Sequence, residues 1–538
     1  MAVSLAQSCV ASTFNPSVFG TEILSLEANL VTNYSVSVPS AYRQTSPSVE
    51  VKNASFCNVT IAYTHPGQND NIITEAWLPL DWNERFLGVG GGGWVAGRFL
   101  LSYAGMNGGL ADGYASITTD AGLGSADVPT PWALNSPGNV NLYNLQNIAS
   151  VCLNDEAVIG KSLIRSFYGK DPKYSYWNGC SQGGRQGLML AQRYPKQYDG
   201  IVAGAPAIYW NELISNAQWP QQVMNELGEY PYGCELDAIT AEAVSACDNL
   251  DGVTDGTIGN VEECFKTFNP FSVVGKSIAC SQTNGTQKTI SKTAAIVVNE
   301  TWHGRSNANG QQFYHGITPG SDLTGDSSYG VGIVTTKCNE TGCVGLPNQL
   351  GVPWLQLFIA KDPNFNVGNL TRAEFDALVY SGAQQYNSLV ESADPDLTKF
   401  RDAGGKMVTF HGLADNIIPV GATEEYYNAV ADITPDIQDF YRYFEAPALG
   451  HCFGGKSDTP TSLFEQLRDW VENGTAPEQT PIKLNVAANE THNRILCAYP
   501  QKAEFVASCG DPSLAECWSC SKSGVVGENI TKPKHFEL

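Results

Sequence analysis

The chain has 538 residues, which is too long for one simple hydrophobic core and predicts either two domains or a catalytic domain with a large insertion. Apolar residues make up 42% and charged residues 16% of the sequence, a balance that excludes an intrinsically disordered protein. The formal net charge is −23 without any basic cluster, so neither nucleic acid nor an anionic membrane is an expected partner.

Strands and helices alternate in the first part of the chain, after residues 1–72, which mix short β-rich runs with turns. The hydrophobic pattern predicts strands at 73–78, 85–89, 114–119, 174–178 and 200–205, and helices at 142–168 and 185–194. Such alternation is typical of a parallel sheet with helices on its faces.

The alternation stops in the middle of the chain and then resumes. From about 208 to 405 the sequence is rich in Asn, Gly, Thr and Cys and has no regular strand–helix rhythm. Strands are again predicted at 406–411 and 438–445, and helices at 421–430 and 462–471. We therefore predict a discontinuous catalytic domain, 1–207 and 406–538, interrupted by a lid domain at 208–405.

The segment Gly179-Cys180-Ser181-Gln182-Gly183 matches the pattern G-x-S-x-G and lies between a predicted strand and a predicted helix. This context is that of a nucleophile elbow, a strained turn that exposes the serine hydroxyl above the sheet of an α/β-hydrolase. A free serine hydroxyl is a poor nucleophile and needs a nearby base. The sequence therefore predicts Ser181 as a catalytic nucleophile.

The base should be a histidine that follows the serine, because α/β-hydrolases place the acid and then the histidine after the nucleophile. His451 lies in a glycine-flanked loop directly after a predicted strand, which is the placement that a catalytic base needs. Asp415 follows the strand that ends at His411, and its carboxylate would accept a hydrogen bond from the histidine and fix its tautomer. His411 itself is interpreted as a packed histidine at the end of a strand.

Two further features follow from this assignment. Cys180 precedes the serine and Cys452 follows the histidine, so convergence of the two catalytic groups predicts a Cys180–Cys452 disulfide beside them. The oxyanion hole needs two backbone N–H groups. One is expected from Gln182, and the other from the glycine run at 90–93, where Gly92 and Gly93 remain alternatives.

An aspartate-rich segment lies inside the insertion. Asp248, Asp251 and Asp255 place three carboxylates within eight residues, interleaved with glycines that permit tight turns. Hard oxygen ligands at this density suit Ca²⁺, although the segment is not an EF-hand. Cys264 is positioned to close this loop with Cys247. The alternative is an ordinary Asp/Gly turn.

Cysteines and glycosylation sequons indicate the compartment. Fifteen cysteines accompany ten N-x-S/T sequons, at Asn33, Asn53, Asn58, Asn284, Asn299, Asn339, Asn369, Asn473, Asn489 and Asn529. This combination predicts a secreted, extracellular glycoprotein with disulfide bonds. Since fifteen is odd, one thiol stays unpaired, and we expect it to be Cys152 in an apolar helical stretch. No run of 18 apolar residues predicts a transmembrane helix.

The combination of Gly-Cys-Ser-x-Gly-Gly, H-G-x-x-D-x-x-I-P and Gly-His-Cys resembles the fungal tannase and feruloyl esterase family. The resemblance extends to the glycine run Gly88 to Trp94 and to Arg193 to Ala207. It implies an α/β-hydrolase core with a large lid, a Ser181–Asp415–His451 triad and the disulfide beside it. It also implies a structural Ca²⁺ in the lid, held by the side chains and carbonyls of Asp248, Asp251, Val253, Asp255 and Thr257.

The expected function is hydrolysis of phenolic-acid esters such as plant cell-wall ferulates through an acyl-enzyme. The alternatives are a tannase, which acts on galloyl esters, and a non-catalytic, calcium-dependent extracellular binding protein. The aromatic residues considered for stacking on a phenol ring are Trp210, Trp219, Tyr230, Tyr232, Trp354 and Phe358. The oligomeric state is left open.

Overall fold

The computed structural model describes residues 4–283, 285–307, 309–325, 332–487 and 490–521. Within these residues one mixed sheet holds the strands Glu22–Val38 (β1), Val49–Thr64 (β2), Ile72–Pro79 (β3), Arg85–Val89 (β4), Ala115–Thr119 (β5), Tyr174–Cys180 (β6), Gly200–Gly204 (β7), Lys406–Gly412 (β8) and Tyr441–Ala446 (β9). Their order across the sheet is β1-β2-β3-β5-β4-β6-β7-β8-β9.

The sheet changes from antiparallel to parallel along this order. β1, β2, β3 and β5 pair antiparallel, whereas β5, β4, β6, β7, β8 and β9 pair parallel. The carboxyl ends of the parallel strands therefore meet at one edge, which is where open α/β sheets bind ligands. This topology is that of the predicted α/β-hydrolase core.

The strands predicted from residue 73 onwards are confirmed within a few residues, but the N-terminal prediction is wrong. Residues 22–64 form two long paired strands of 17 and 16 residues instead of short runs. Their pairing shifts register at three places between residues 23 and 36, as β-bulges do. Each bulge resets the alternation of side chains, so the hydrophobic pattern breaks one strand into several apparent ones.

Helices cover both faces of the sheet. Successive strand residues point to opposite faces, so Phe86 and Trp177 belong to one apolar core, and Leu87 and Tyr176 to the other. The first core includes the helices Cys152–Tyr168, Gln182–Arg193 and Val420–Ile433, and the second includes Leu100–Ala111 and Leu463–Asn473. The predicted helix at 142–168 is present as Leu142–Gln146, a π-helical turn Asn147–Val151, and Cys152–Tyr168.

The segment between β7 and β8 adds no strand to this sheet in its described residues. Its larger helices are Trp210–Asn216, Trp219–Leu227, Gly233–Cys247, Val261–Thr267, Lys292–His303 and Arg372–Val390, with a π-helical segment at Trp354–Ile359. Its short strands pair as Ser277–Ile278 with Lys288–Thr289 and Thr336–Asn339 with Gly342–Gly345. The prediction gave this segment no helices, although the capping box of Thr371 and Glu374 marks the start of the longest one. The domain boundaries remain a prediction.

Short elements complete the fold. Hairpins form between Gln479–Ala487 and Glu490–Cys497, between Ala503–Phe505 and Trp518–Cys520, and between Leu134–Ser136 and Asn139–Val140. Short helices lie at Leu5–Ser8, Ser40–Arg43, Gly351–Pro353 and Thr398–Asp402. None of the helices in the described ranges is both long and apolar enough to cross a membrane.

Fourteen of the fifteen cysteines are paired. The disulfides are Cys9–Cys57, Cys180–Cys452, Cys234–Cys280, Cys247–Cys264, Cys338–Cys343, Cys497–Cys520 and Cys509–Cys517. The predicted pairs Cys180–Cys452 and Cys247–Cys264 are both present. Cys152 is the free thiol and is buried, as predicted.

Candidate active site

Ser181 occupies the sharp turn between β6 and the helix Gln182–Arg193. Its backbone angles are φ 64° and ψ −121°, a region that residues with a side chain rarely adopt. The conformation is fixed from both sides, because the Ser181 N–H donates to the carbonyl of Gly204 at 2.9 Å and its carbonyl accepts from the Arg185 N–H at 2.9 Å. This is the strained geometry of a nucleophile elbow.

The glycines that flank the serine are required by close backbone packing. A Cβ atom on Gly179 would lie 2.6 Å from the carbonyl oxygen of Gly183, and a Cβ on Gly90 would lie 2.7 Å from the Gly183 Cα. Such distances are below van der Waals contact, so a larger residue would push the elbow away from the neighbouring glycine run. The G-x-S-x-G pattern thus reflects a steric requirement of the turn.

His451 and Asp415 form the second part of the site. His451 Nδ1 lies 2.9 Å from Asp415 Oδ2, which leaves the Nε2 atom for proton transfer. The other oxygen of Asp415 accepts hydrogen bonds from the N–H groups of Ile417 at 2.9 Å and Ile418 at 2.8 Å. These contacts fix the carboxylate and, through it, the orientation of the imidazole.

His411 contributes a contact that the sequence did not predict. It is fully buried at the end of β8, as expected, but its Nε2 lies 3.1 Å from Asp415 Oδ2. Burial alone would raise the pKa of Asp415. The charges and hydrogen bonds of His451 and His411 outweigh that effect and hold the pKa well below its usual range. The short sequence separation of His411 and Asp415, four residues, was the feature of the sequence that could have indicated this contact.

The Cys180–Cys452 disulfide joins the neighbours of the serine and the histidine across 272 residues of sequence, with a Cα–Cα distance of 6.0 Å. Ser181 and His451 line one cavity of about 280 Å³. Within the described ranges the Ser181 hydroxyl makes no hydrogen bond, including none to His451. In a ligand-free hydrolase this contact is often long and tightens when substrate binds.

The two glycines predicted as alternatives for the oxyanion hole differ in whether their backbone N–H groups are engaged. The N–H of Gly90 donates to Asn178, that of Gly91 to Gln186, and that of Gly92 to the carbonyl of Val95 at 3.0 Å. Gly93 is the member of the run whose N–H has no acceptor among the described residues. Gln182 begins a helix, so its N–H belongs to the first-turn donors without an acceptor in the helix.

A second, small cavity of about 20 Å³ also reaches Ser181, Gln182 and Gly93. Trp210 lines this small cavity and is the member of the predicted aromatic set that reaches a cavity containing Ser181. Trp354 and Phe358 are instead fully buried and pack on Trp94 at ring distances of 6.2 and 5.6 Å. These two side chains belong to the core rather than to a binding surface.

The aspartate-rich loop is organised around its own backbone and one arginine. Asp248 Oδ1 accepts from the N–H groups of Asp255 at 2.8 Å and Gly256 at 2.9 Å. Arg494 pairs with Asp255 and lies 3.8 Å from Asp251 Oδ2. Burial, followed by repulsion from the neighbouring carboxylates, raises the pKa of Asp251 despite Arg494.

The loop contains oxygen atoms of the kind that bind calcium, but its acidic side chains are not clustered as in a metal site. Carboxylate oxygens and the carbonyls of Val253 and Thr257 are hard ligands of the kind that Ca²⁺ prefers. Among the residues that the structure describes, however, no three acidic, His or Cys side chains are gathered as a metal site requires. Calcium at this loop therefore stays a prediction.

Comparison with known proteins identifies the family. A model of the family described as "Tannase and feruloyl esterase" matches residues 57–520. The chain belongs to the tannase and feruloyl esterase family. Members of this family are carboxylic ester hydrolases, and the chain is accordingly one of them, with an α/β-hydrolase fold.

Individual relatives carry both family names. A "Probable feruloyl esterase" of Arthroderma benhamiae is 35% identical over 526 residues, which is 95% of this chain and 93% of the relative. A "Tannase" of Aspergillus oryzae is 29% identical over 514 residues, covering 86% of this chain and 85% of the relative. Among solved structures, a tannin acyl hydrolase from Aspergillus niger aligns with a TM-score of 0.84 at 29% identity and covers 96% of both chains.

Proposed function

We propose that the chain is a secreted serine esterase that releases phenolic acids such as ferulate from plant cell-wall esters. Ser181 attacks the ester carbonyl, and His451 takes the serine proton and then delivers it to the leaving alkoxide. Asp415 keeps the imidazole in the required tautomer and stabilises it when it becomes charged. Water, activated by the same histidine, then hydrolyses the acyl-enzyme.

One arrangement carries this proposal. The strained serine at φ 64°, His451 and the disulfide between their neighbours line the same cavity, and the buried Asp415 lies 2.9 Å behind His451. A purely structural serine would not need a backbone conformation with positive φ. Both His411 and His451 contact Asp415, but only the His451 ring is partly exposed and lines the cavity. The N–H groups of Gln182 and Gly93 are the proposed donors to the oxyanion of the tetrahedral intermediate.

The decisive experiment replaces the nucleophile. Ser181→Ala is expected to lower kcat for methyl ferulate by at least about 10⁴-fold, with the melting temperature nearly unchanged, because the hydroxyl makes no structural hydrogen bond. Ser166→Ala, at a partly buried helix hydroxyl that donates to the carbonyl of Ser162 outside the cavity, is the control for loss of a serine hydroxyl and should retain activity. Full activity of Ser181→Ala would favour the non-catalytic binding protein.

The identity of the acyl group is a second question. The relatives and neighbouring structures are named both as feruloyl esterases and as tannases, and we favour the feruloyl assignment because the 35% identical relative carries that name. A gallate ring presents three hydroxyls and would need more polar partners than a ferulate ring. Comparing kcat/KM for methyl ferulate and methyl gallate separates the two, and a clear preference for gallate would make the chain a tannase.

Extracellular location and calcium binding are part of the same proposal. Seven disulfides and exposed sequon asparagines, namely Asn33, Asn53, Asn339, Asn369 and Asn473, support passage through an oxidising, glycosylating compartment. Asn58 and Asn299 are half-buried, and Asn284, Asn489 and Asn529 lie outside the described residues. Calcium binding is supported by the charge of the loop. Its three aspartates carry more negative charge than the two contacting cations, Arg494 and Lys456, can neutralise.

A further inference from the structure

One wall of the active-site cavity is formed by a segment that no catalytic pattern marks. Tyr42, Arg43 and Gln44, here called the wall segment, follow the long strand β1 and line the cavity together with Ser181 and His451. The family match begins only at residue 57, so the wall segment lies before it.

The backbone of the wall segment is strained at Gln44. This residue has φ 56° and ψ −63°, and the Thr45 N–H donates to the Arg43 carbonyl at 2.7 Å, which closes a three-residue γ-turn around Gln44. A γ-turn with positive φ is rare and unfavourable for a residue with a side chain. Such strain persists only where the surroundings impose it.

The surroundings of Gln44 do impose this conformation. Arg43 donates to the carboxylate of Asp112 at 2.5 Å and to the carbonyl of Pro47 at 2.7 Å. On the other side, the hydroxyl of Thr45 exchanges contacts of 3.2 and 3.4 Å with the side-chain amide of Asn178, which lies three residues before Ser181 on β6. The strained residue is thus fastened to the strand that carries the nucleophile.

The sizes of the two cavities decide where a phenol ring can lie. The small cavity beside Ser181, about 20 Å³, has room for about one water molecule. The cavity of about 280 Å³ is close to the roughly 300 Å³ of the smallest common ligand sites. A planar acyl group attached at Ser181 must therefore extend into the larger cavity, past the wall segment.

The polar side chains around this cavity differ in whether their hydrogen-bonding groups are already engaged. The side chains of Arg43 and Asn178 are engaged by the partners described above. The amide of Gln44 and the hydroxyl of Tyr42 have no hydrogen-bond partner in the described ranges, and the Tyr42 ring packs edge-on against Phe453 at 6.1 Å. An amide that both donates and accepts suits a phenolic hydroxyl next to a methoxy oxygen.

We propose that Gln44 is a specificity-determining residue that hydrogen-bonds the ring substituents of the acyl group, while Tyr42 and Phe453 flank the ring. This inference rests on the proposed esterase function and deepens it. The strained turn fixes the Gln44 backbone before substrate arrives, so little conformational freedom is lost when the hydrogen bond forms.

The test compares two esters that differ only in the ring. Gln44→Ala should lower kcat/KM for methyl ferulate about three- to tenfold, because one hydrogen bond to the ring is lost. For methyl cinnamate, which has no ring substituents, kcat/KM of the variant should stay within about twofold of the value for the unmodified enzyme. Gln44→Gly removes the same amide but accepts positive φ without strain, and it should show the same selective loss.

Each outcome has one meaning. Selective loss on ferulate in both Gln44 variants supports the inference. Loss in Gln44→Ala but not in Gln44→Gly assigns the effect to the backbone turn and overturns it, as does equal loss on both esters or no loss on either. If the unmodified enzyme hydrolyses neither ester, the proposed esterase function fails instead. Melting temperatures of both variants identify any loss that comes from unfolding.

Discussion

The candidate active site and the aspartate-rich loop each place an aspartate, Asp415 and Asp251, beside basic side chains, yet the pKa shifts of these two aspartates are opposite. Asp415 is surrounded by two histidines and two backbone N–H groups, and its pKa is held low. Asp251 faces two other carboxylates with Arg494 at 3.8 Å, and its pKa is raised. Burial raises the pKa at both sites. The histidines outweigh burial at Asp415, whereas the Val253 N–H and Arg494 do not outweigh it at Asp251.

The largest expected effect comes from removing the charge at the catalytic centre. Asp415→Asn should lower kcat by about 10⁴-fold, since an amide at this position favours the wrong histidine tautomer. Steady-state kinetics with methyl ferulate measures it. Asp402→Asn, at a 66% exposed side chain, is the control for a lost surface charge and should leave kcat unchanged. A loss below tenfold in Asp415→Asn would place the orienting acid elsewhere.

The disulfide between the neighbours of the proposed nucleophile and base should matter more than one that closes a short hairpin. In the loop-entropy relation, replacing Cys180 and Cys452 by serine costs roughly 5.6 kcal/mol of unfolding free energy, whereas the same change at Cys338 and Cys343 costs roughly 2 kcal/mol. Denaturant unfolding measures both. Replacement of Cys180 and Cys452 should also reduce kcat, and replacement of Cys338 and Cys343 should not. Equal effects on kcat would show that the first disulfide has no positioning role.

Calcium should act on the loop and leave the catalytic centre unchanged. At 100 times its dissociation constant, bound Ca²⁺ would stabilise the fold by about 2.7 kcal/mol, which differential scanning fluorimetry detects as a higher melting temperature than in EGTA. Asp251→Asn should abolish that gain, and in EGTA it should be neutral or stabilising because it removes a charge that burial and, to a lesser degree, the neighbouring carboxylates disfavour. An unchanged melting temperature on adding Ca²⁺ to the unmodified protein would instead leave Arg494 as the sole counter-charge of Asp255.

The smallest expected effect is the pH dependence contributed by Asp415. Its pKa is lowered on folding, so its ionised form contributes stability above the unfolded pKa of about 3.9, and this contribution is lost as the pH falls below that value. The unfolding free energies of the unmodified protein and Asp415→Asn should therefore converge in acid, by at most about 1.4 kcal/mol per pH unit. A constant difference between pH 7 and pH 3 would contradict the lowered pKa.

Local sequence determined the parts of this protein in which chemistry and sterics act between close neighbours. The glycines around Ser181 are dictated by backbone contact across one turn, and the strands from residue 73 onwards follow the hydrophobic alternation. The pairing of Cys180 with Cys452 was predictable because each cysteine adjoins a residue whose role demands proximity. Membership of the tannase and feruloyl esterase family was recognisable from the same patterns.

Tertiary structure alone decided the features that depend on which groups are already engaged. Gly93 is distinguished from Gly92 only because Val95 takes the N–H of Gly92, and His411 contacts Asp415 only because its strand and the following turn bring the two side chains together. Gln44 enters the site through a turn fastened by Asp112 and Asn178, from distant parts of the chain. Local patterns specify which groups are available, but hydrogen bonding and packing between distant segments determine which of them remain free to bind a ligand.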